Sequence, residues 1–345
     1  MTAPTRSPSA SRPARTIAME AADYDRLVEP HRDELRAHCY RMLGSAQDAE
    51  DALQEAMLRA WRGLERFEGR SSLRTWLYTI TTNVCLKMIQ RRPKLVLPID
   101  HGPPSDPADG LAPPLVESVW IEPYPDEGLA AGDPQAGPEA RYDQRESVEL
   151  AFIAALQHLP ARQRAVLILR DVLGFSAREV AATLDATPAA VDTALQRARR
   201  NAGERLPERS QQTTMRALGD RRLREIVDRF VAAWERADVE AVVGLLTEQA
   251  VVSMPPVPSW FRGRDAVATF LAARPLAGRT PVRLLATGAN GQPAFAQYRR
   301  PAGGDAFLPV DLFVLTLEGE RIAEITAFLD DEMFARFGLP ARLAP

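Results

Sequence analysis

Cysteine is nearly absent: Cys39 and Cys85 are the only two in 345 residues, and both lie in apolar, helical stretches. That excludes a disulfide framework and points to a reducing, cytoplasmic setting. The four histidines are scattered and show no metal-ligand spacing, so neither a metal nor a cofactor is expected. Lysine occurs only as Lys87 and Lys94. Arginine supplies the rest of the 43 basic side chains, a bias of genome composition more than of chemistry. No run of about 18 apolar residues exists, which argues against a membrane span. The N-terminal MTAPTRSPSASRPART is basic and Ser/Pro-rich but has no apolar core, so residues 1–19 read as a disordered arm rather than a secretion signal.

The length calls for two or three domains. A net charge of −3 hides an uneven distribution: residues 1–93 carry 15 basic and 12 acidic side chains, and residues 94–142 carry 2 and 9. A nucleic-acid binder needs a basic face rather than a basic total. Segment 94–142 is dominated by Pro, Gly, Asp and Ala and reads as an extended acidic linker. Within it, VESVWIEPYPD (116–126) is too apolar for a plain linker, and Trp120, Ile121 and Tyr124 are expected to dock on a neighbour.

Residues 20–93 read as helices. Leu27, Leu35, Cys39, Met42 and Leu43 recur at helical spacing, and Gly44 ends the run. Ser45 can cap the next helix, 48–67, whose apolar stripe runs from Ala52 to Leu64. Its other side carries Asp48, Asp51, Gln54 and Glu55, either as a solvated face or as a docking face for a basic helix. A helix from near Ser72 follows, with Leu73, Trp76, Leu77, Ile80, Val84 and Met88 in line and Pro93 at its end. Between Phe67 and Arg92, arginines and Lys87 alternate with aromatic residues. That suits single-stranded nucleic acid, whose phosphates bind arginine and whose bases stack on rings. An amphipathic core helix with a solvated basic face gives the same pattern.

Residues 143–206 are helical again. Ser176 and Glu179 form a capping-box pair, Asp185-Ala186 makes a tight turn, and Thr187-Pro188 opens the last helix. Val191, Leu195 and Ala198 face inward, whereas Ala189, Asp192, Thr193, Gln196, Arg197, Arg199 and Arg200 face outward. This pattern reads as a helix-turn-helix, or as a plain helical bundle. After a polar connector, 207–219, residues 220–340 change type. Two helices come first, then strands over 250–254, 282–287, 294–299, 310–317 and 322–329, with a helix from Asp265 between the first two. The pattern is α+β, a long helix wrapped by a curved antiparallel sheet. Trp234, Met254, Trp260, Phe270, Phe295, Tyr298 and Phe313 are either core or the lining of an apolar pocket. Asp311 and Asp330 are its main strand carboxylates.

DAEDALQEAMLRAW, GRSSLRTWLYTITTNVCLKMIQRR and LPARQRAVLILRDVLGFSAREVAATLDATPAAVDTALQRARR resemble regions 2 and 4 of bacterial sigma-70 factors of the extracytoplasmic-function group. MPPVPSWFRGRDAVATFL is similar to SnoaL-like domains of the nuclear-transport-factor-2-like superfamily. The resemblance implies a multidomain chain: two all-α sigma domains, then an α+β cone-shaped barrel. It implies no enzyme but an initiation factor, with core RNA polymerase (β′ clamp helices and β flap) and promoter DNA as partners. An anti-sigma protein or a small apolar ligand stays open as a further partner, as does catalysis by the tail. Asp48, Asp51, Gln54 and Glu55 would dock on the clamp. Arg70, Ser72, Arg74, Trp76, Thr79, Asn83, Lys87, Arg91 and Arg92 would hold and melt the −10 element, with an extruded base in the 67–74 loop. The outward residues of the last helix would read the −35 element, Gln196 and Arg197 at base edges and Arg199 and Arg200 at phosphates. The acidic linker would thread the polymerase's RNA path.

Overall fold

The computed structural model describes residues 21–115, 119–127, 145–278 and 280–344. The N-terminal arm lies outside them, as do residues 116–118 and 128–142 of the expected acidic linker. The first lobe is α1 (Ala21–Val28), α2 (Arg32–Leu43), α3 (Ala46–Leu64) and α4 (Leu73–Ile89). Its boundaries follow the sequence signals. Ser45 and Ser72 each accept a bond from the backbone N–H three residues on, which caps α3 and α4. Gly44 ends α2 with φ 74, and a Cβ there would sit 2.9 Å from Gln157, so only glycine fits.

The second lobe is α6 (Leu150–Gln157), α7 (Ala161–Leu167, continuing as a π-turn over Ile168–Val172), α8 (Ala177–Leu184) and α9 (Pro188–Gly203). Between the lobes runs a short helix, α5 (Pro98–His101). The capping box at Ser176 and Glu179 forms, Asp185 takes the left-handed turn at φ 49, and Thr187 caps α9. The α8–turn–α9 unit is a helix-turn-helix.

The third lobe opens with α10 (Gln211–Glu235), then α11 (Val239–Gly244), β1 (Leu246–Met254), β2 (Val257–Arg262), α12 (Arg264–Ala273), β3 (Val282–Ala289), β4 (Gln292–Arg299), β5 (Leu308–Glu318), β6 (Arg321–Phe328) and α13 (Met333–Arg336). The connector is therefore not a plain linker: its residues from Gln211 onward are helical, with a break at Gly219 (φ 73, ψ 157). Strand β2 was hidden behind Pro255 and Pro256. The sheet order is β2-β1-β6-β5-β4-β3. It is open and mixed rather than wholly antiparallel. After α12 the chain meanders back from the far edge, so β6 reaches β1 running in the same direction.

Both faces of this sheet are covered. Along β5, Phe313 and Leu315 join the core formed with α10 and α12, while Leu312 and Val314 join the core of the helical lobes. A strand buried on both sides reads as an unbroken apolar run. The helical core also takes in Ala289, Ala294 and Phe328 from the sheet and Ile121 and Tyr124 from the linker. As expected, Trp120, Ile121 and Tyr124 dock and are buried. The linker continues along β2, with Ser105 N–H on Trp260 O (2.7 Å) and Leu115 N–H on Pro256 O (3.0 Å).

One residue ties these pieces together. Asn290 and Gly291 form the two-residue β3–β4 turn, both with positive φ, a pattern that favours Asn-Gly. Asn290 is fully buried. Its Nδ2 donates to Tyr40 Oη (2.7 Å) and Val148 O (2.7 Å), and its Oδ1 accepts from Tyr124 N–H (2.9 Å). Its own N–H donates to Tyr124 O (2.9 Å). One amide thus joins the sheet, the first lobe, the linker and the start of the second lobe. Asn290→Ala strands these partners in a dry site and replaces asparagine, which tolerates the left-handed region, by alanine, which tolerates it less. It should lower stability by about 3 kcal/mol in urea unfolding. A loss below about 1 kcal/mol would show that the turn is not a joint.

Candidate nucleic-acid interface

Helix α4 carries the candidate melting residues on two faces that differ in exposure. Asn83, Lys87 and Arg91 are exposed. Trp76 lies on the same stripe, half-buried, its ring 5.1 Å from that of Phe67 and its edge against Gly63. Ser72 is occupied as the cap of α4, and exposed Arg70 pairs with Glu68. Arg92 pairs with Asp48.

The second face is closed by α8. Thr79 Oγ1 meets Thr183 Oγ1 at 3.0 Å, and Thr75 Oγ1 donates to Glu179 Oε1 at 3.1 Å. Arg74 lies between the rings of Tyr78 (4.9 Å) and Phe175 (5.0 Å), with its Nε on Glu34 Oε2 at 3.0 Å. Phe175, Glu179 and Thr183 were not singled out as partners of α4. Only the capping role of Glu179 was legible, because its second carboxylate oxygen serves a contact between lobes.

On α9, Ala189, Asp192, Thr193, Gln196, Arg197 and Arg200 are exposed together as one outward face. Arg199 is held by Asp171 through two bonds (2.7 and 2.8 Å), and that carboxylate raises the guanidinium's already high pKa. Of the candidate docking face on α3, Asp51, Gln54 and Glu55 are exposed, whereas Asp48 is buried against Arg92. The structure thus separates Asp48 from the other three.

In the third lobe, Trp234, Met254, Phe270, Phe295 and Phe313 pack into one core. Trp260 and Tyr298 leave that set. Trp260 donates from Nε1 to Gly102 O of the linker (2.8 Å), and Tyr298 packs with Phe307 and Phe334. Asp311 is buried, with Oδ2 accepting from Gln297 Nε2 (3.2 Å), and burial pushes its carboxyl up to about 8. Asp330 instead caps a turn by accepting from Glu332 N–H (3.0 Å).

Two carboxylates missed in the sequence fasten the lobes. Glu122 of the linker accepts from Ala46 N–H (3.0 Å) and Gln47 N–H (3.2 Å) at the start of α3, and pairs with Arg336 of α13 (2.8 Å). Glu149, at the start of α6, accepts from Gln211 N–H (2.9 Å) and Gln212 N–H (2.7 Å) at the start of α10. No periodicity marks either residue; each is a carboxyl group placed by tertiary structure at another helix's free N–H groups.

A basic-aromatic helix beside a helix-turn-helix, joined through a linker to an α+β lobe, defines a sigma-70 type transcription factor with an appended domain. Profile comparison agrees: Sigma-70 region 2 matches residues 27–94, Sigma-70 region 4 matches 149–201, and a SnoaL-like domain matches 227–325. The chain is 43% identical over 330 residues to the ECF RNA polymerase sigma factor SigG of Mycobacterium tuberculosis, covering 93% of this chain and 85% of that protein. It is 30% identical over 198 residues to SigE of Mycolicibacterium smegmatis, covering 56% of this chain and 65% of that one. The crystal structure of SigJ from M. tuberculosis matches in fold with a TM-score of 0.57 at 21% identity, across 93% of this chain and all of that one. The chain belongs to the extracytoplasmic-function RNA polymerase sigma factors. Among the described residues no helix is long and apolar enough to cross a membrane.

Burial raises the Glu149 carboxyl from 4.5 to about 7, against the two N–H bonds that lower it. A raised folded pKa means that its contribution is fully present below about pH 4.5 and is lost as pH rises through about 7. Wild type should therefore lose stability relative to Glu149→Gln between pH 5 and pH 8, by at most about 3 kcal/mol. Urea unfolding of both proteins at the two pH values checks this, and parallel curves would refute it.

Proposed function

We propose that the SnoaL-like domain holds the two promoter-reading lobes in a closed, off-promoter arrangement, and that initiation requires them to part. The observation that carries this reading is the α4–α8 contact, which covers Arg74, Thr75 and Thr79. The −10 and −35 elements are about 25 base pairs apart, about 85 Å at about 3.4 Å per step. Packed helices lie about 8–10 Å apart, and α4 and α9 are separated only by α8. One duplex cannot reach both readers in this arrangement. The 49 residues of segment 94–142 could span about 160 Å when extended, ample for the open form.

In the open form Trp76, Asn83, Lys87 and Arg91, with Arg70, Arg74 and Thr79 released, engage the melted −10 strand and its phosphates. Gln196 and Arg197 read the −35 major groove, with Arg200 on phosphate. Asp51, Gln54 and Glu55 form the face offered to the β′ clamp helices of core polymerase, and the helix-turn-helix lobe meets the β flap. Asp48 joins that face only when Arg92 turns to DNA. The third lobe acts by holding rather than by catalysis. Its aromatic residues are packed on one another, and the chain has no histidine beyond His158 to pair with Asp311.

The paired variant Thr79→Cys with Thr183→Cys places two thiols where the hydroxyl oxygens lie 3.0 Å apart. With core polymerase, the oxidised protein should lose at least about tenfold in promoter-specific run-off transcription, and reduction should restore it. Truncation after residue 207 should alter run-off in the same assay. Equal transcription by the oxidised and reduced forms would overturn the closed-state reading.

A further inference from the structure

A cavity of about 380 Å³ lies where the C-terminal end of α4 meets the corner between α6 and α7. Its apolar wall includes Met88, Ile89, Leu95 and Leu159. Its polar wall carries Arg92, Lys94 and Arg164 against a single carboxylate, Asp48. The lining is therefore net positive by two charges, three cations less one anion.

Arg164 is the unusual member. It is 4% exposed, and its terminal nitrogens donate to Gln157 Oε1 and to the carbonyls of Met42, Gln157 and Leu159. Those acceptors are neutral, and no carboxylate bears on its charge. Burial lowers its pKa to about 10, so it stays protonated at neutral pH. Its Nε has no hydrogen-bond partner, and neither does Nε2 of Gln157, which is 3% exposed and lines the same cavity. Lys94 Nζ meets His158 Nδ1 at 2.6 Å, and the carboxylate of Asp100, which pairs with the far side of that ring at 3.2 Å, acts on the Lys94 charge without bonding it. A buried cation without a counter-charge, with two orphaned donors beside an open volume, is an unfavourable arrangement unless an anion completes it.

We propose that this cavity binds a small organic phosphate, its phosphoryl group held by Arg92, Lys94 and Arg164 and its apolar or aromatic body against Met88, Ile89 and Leu159. The dianionic head matches the net charge, and the volume lies within the range of small-molecule sites. Neither element alone forms the cavity, since α4 belongs to the region 2 lobe and the α6–α7 corner to the region 4 lobe. Its occupant therefore also favours the closed arrangement, a coupling that rests on the reading above.

The test is calorimetric titration of the full chain with 1-naphthyl phosphate, with inorganic phosphate and 1-naphthol as the separated head and body. The expected result is one saturable site for the ester, with each fragment at least about tenfold weaker. Lys94→Ala, at an exposed position, should weaken the ester about fivefold or more. Ala161→Trp, which fills the cavity from the start of α7, should abolish binding. Binding of the ester no tighter than phosphate alone, or unchanged affinity in Lys94→Ala, would overturn the site. The oxidised Thr79→Cys, Thr183→Cys protein should bind the ester more tightly than its reduced form. If the site exists but the two forms bind equally, the coupling to closure fails and the site stands.

Discussion

The Asn290 amide has little freedom. It sits at the tip of a tight turn, in a dry environment, and every hydrogen bond of its side chain goes to another part of the chain. Tyr40, which accepts one of them, donates in turn to Glu122 O at 2.8 Å. Gly291 N–H donates to Asp126 Oδ1 (2.7 Å), and Gln212 Nε2 donates to Gly291 O (2.6 Å). A shift of the turn by one ångström would break bonds to four segments at once. Polar networks of this kind specify an arrangement more than they add to its total stability. The apolar contacts around them supply the stabilisation and tolerate sliding; the amide does not.

That constraint sets how the two helical lobes meet. The packing of α8 on α4 covers Arg74, Thr75 and Thr79 but leaves the outward face of α9 and the stripe of Asn83, Lys87 and Arg91 in solvent. The difference follows from which helix meets which. Helix α8, the first of the helix-turn-helix pair, presents Glu179 and Thr183 to α4, and their partners are hydroxyls. The polar part of the α4–α8 contact is thus one hydroxyl pair, one hydroxyl-to-carboxylate bond and one stacked guanidinium, groups that water and phosphate can also satisfy. Beneath it the two helical lobes share one apolar core, so their separation exposes that shared surface as well.

The local structure was legible because local rules decided it. Ser45, Ser72, Ser176 and Thr187 cap the helices expected, Gly44 ends α2, and Trp120, Ile121 and Tyr124 dock. Failures arose where tertiary contacts overrode local pattern. Two prolines masked β2, and the polar residues of the connector read as a loop although Gln211 and Gln212 are buried among partners. Strands covered on both faces lost the alternation that would have shown which face met the helical lobes. In the candidate site, exposure of Gln196 and Arg197 followed from helical period, but the pairing of Asp48 with Arg92 did not. Those residues are 44 positions apart, and only packing of α3 on α4 brings them together. The Asn-Gly pair at 290 was a local signal that went unread.

The core that joins the helical lobes draws on residues from Val28 to Phe337, almost the whole chain. This has a consequence for the order of events during synthesis. Ribosomes add about 5–20 residues per second, so roughly 6–25 s pass between emergence of the helix-turn-helix and completion of the sheet that covers it. During that interval the nascent chain carries both helical lobes but not the Asn290 turn that bonds them to each other and to the linker. Under the closed arrangement proposed above, a newly made copy passes first through an unlatched period that a finished one regains only by opening.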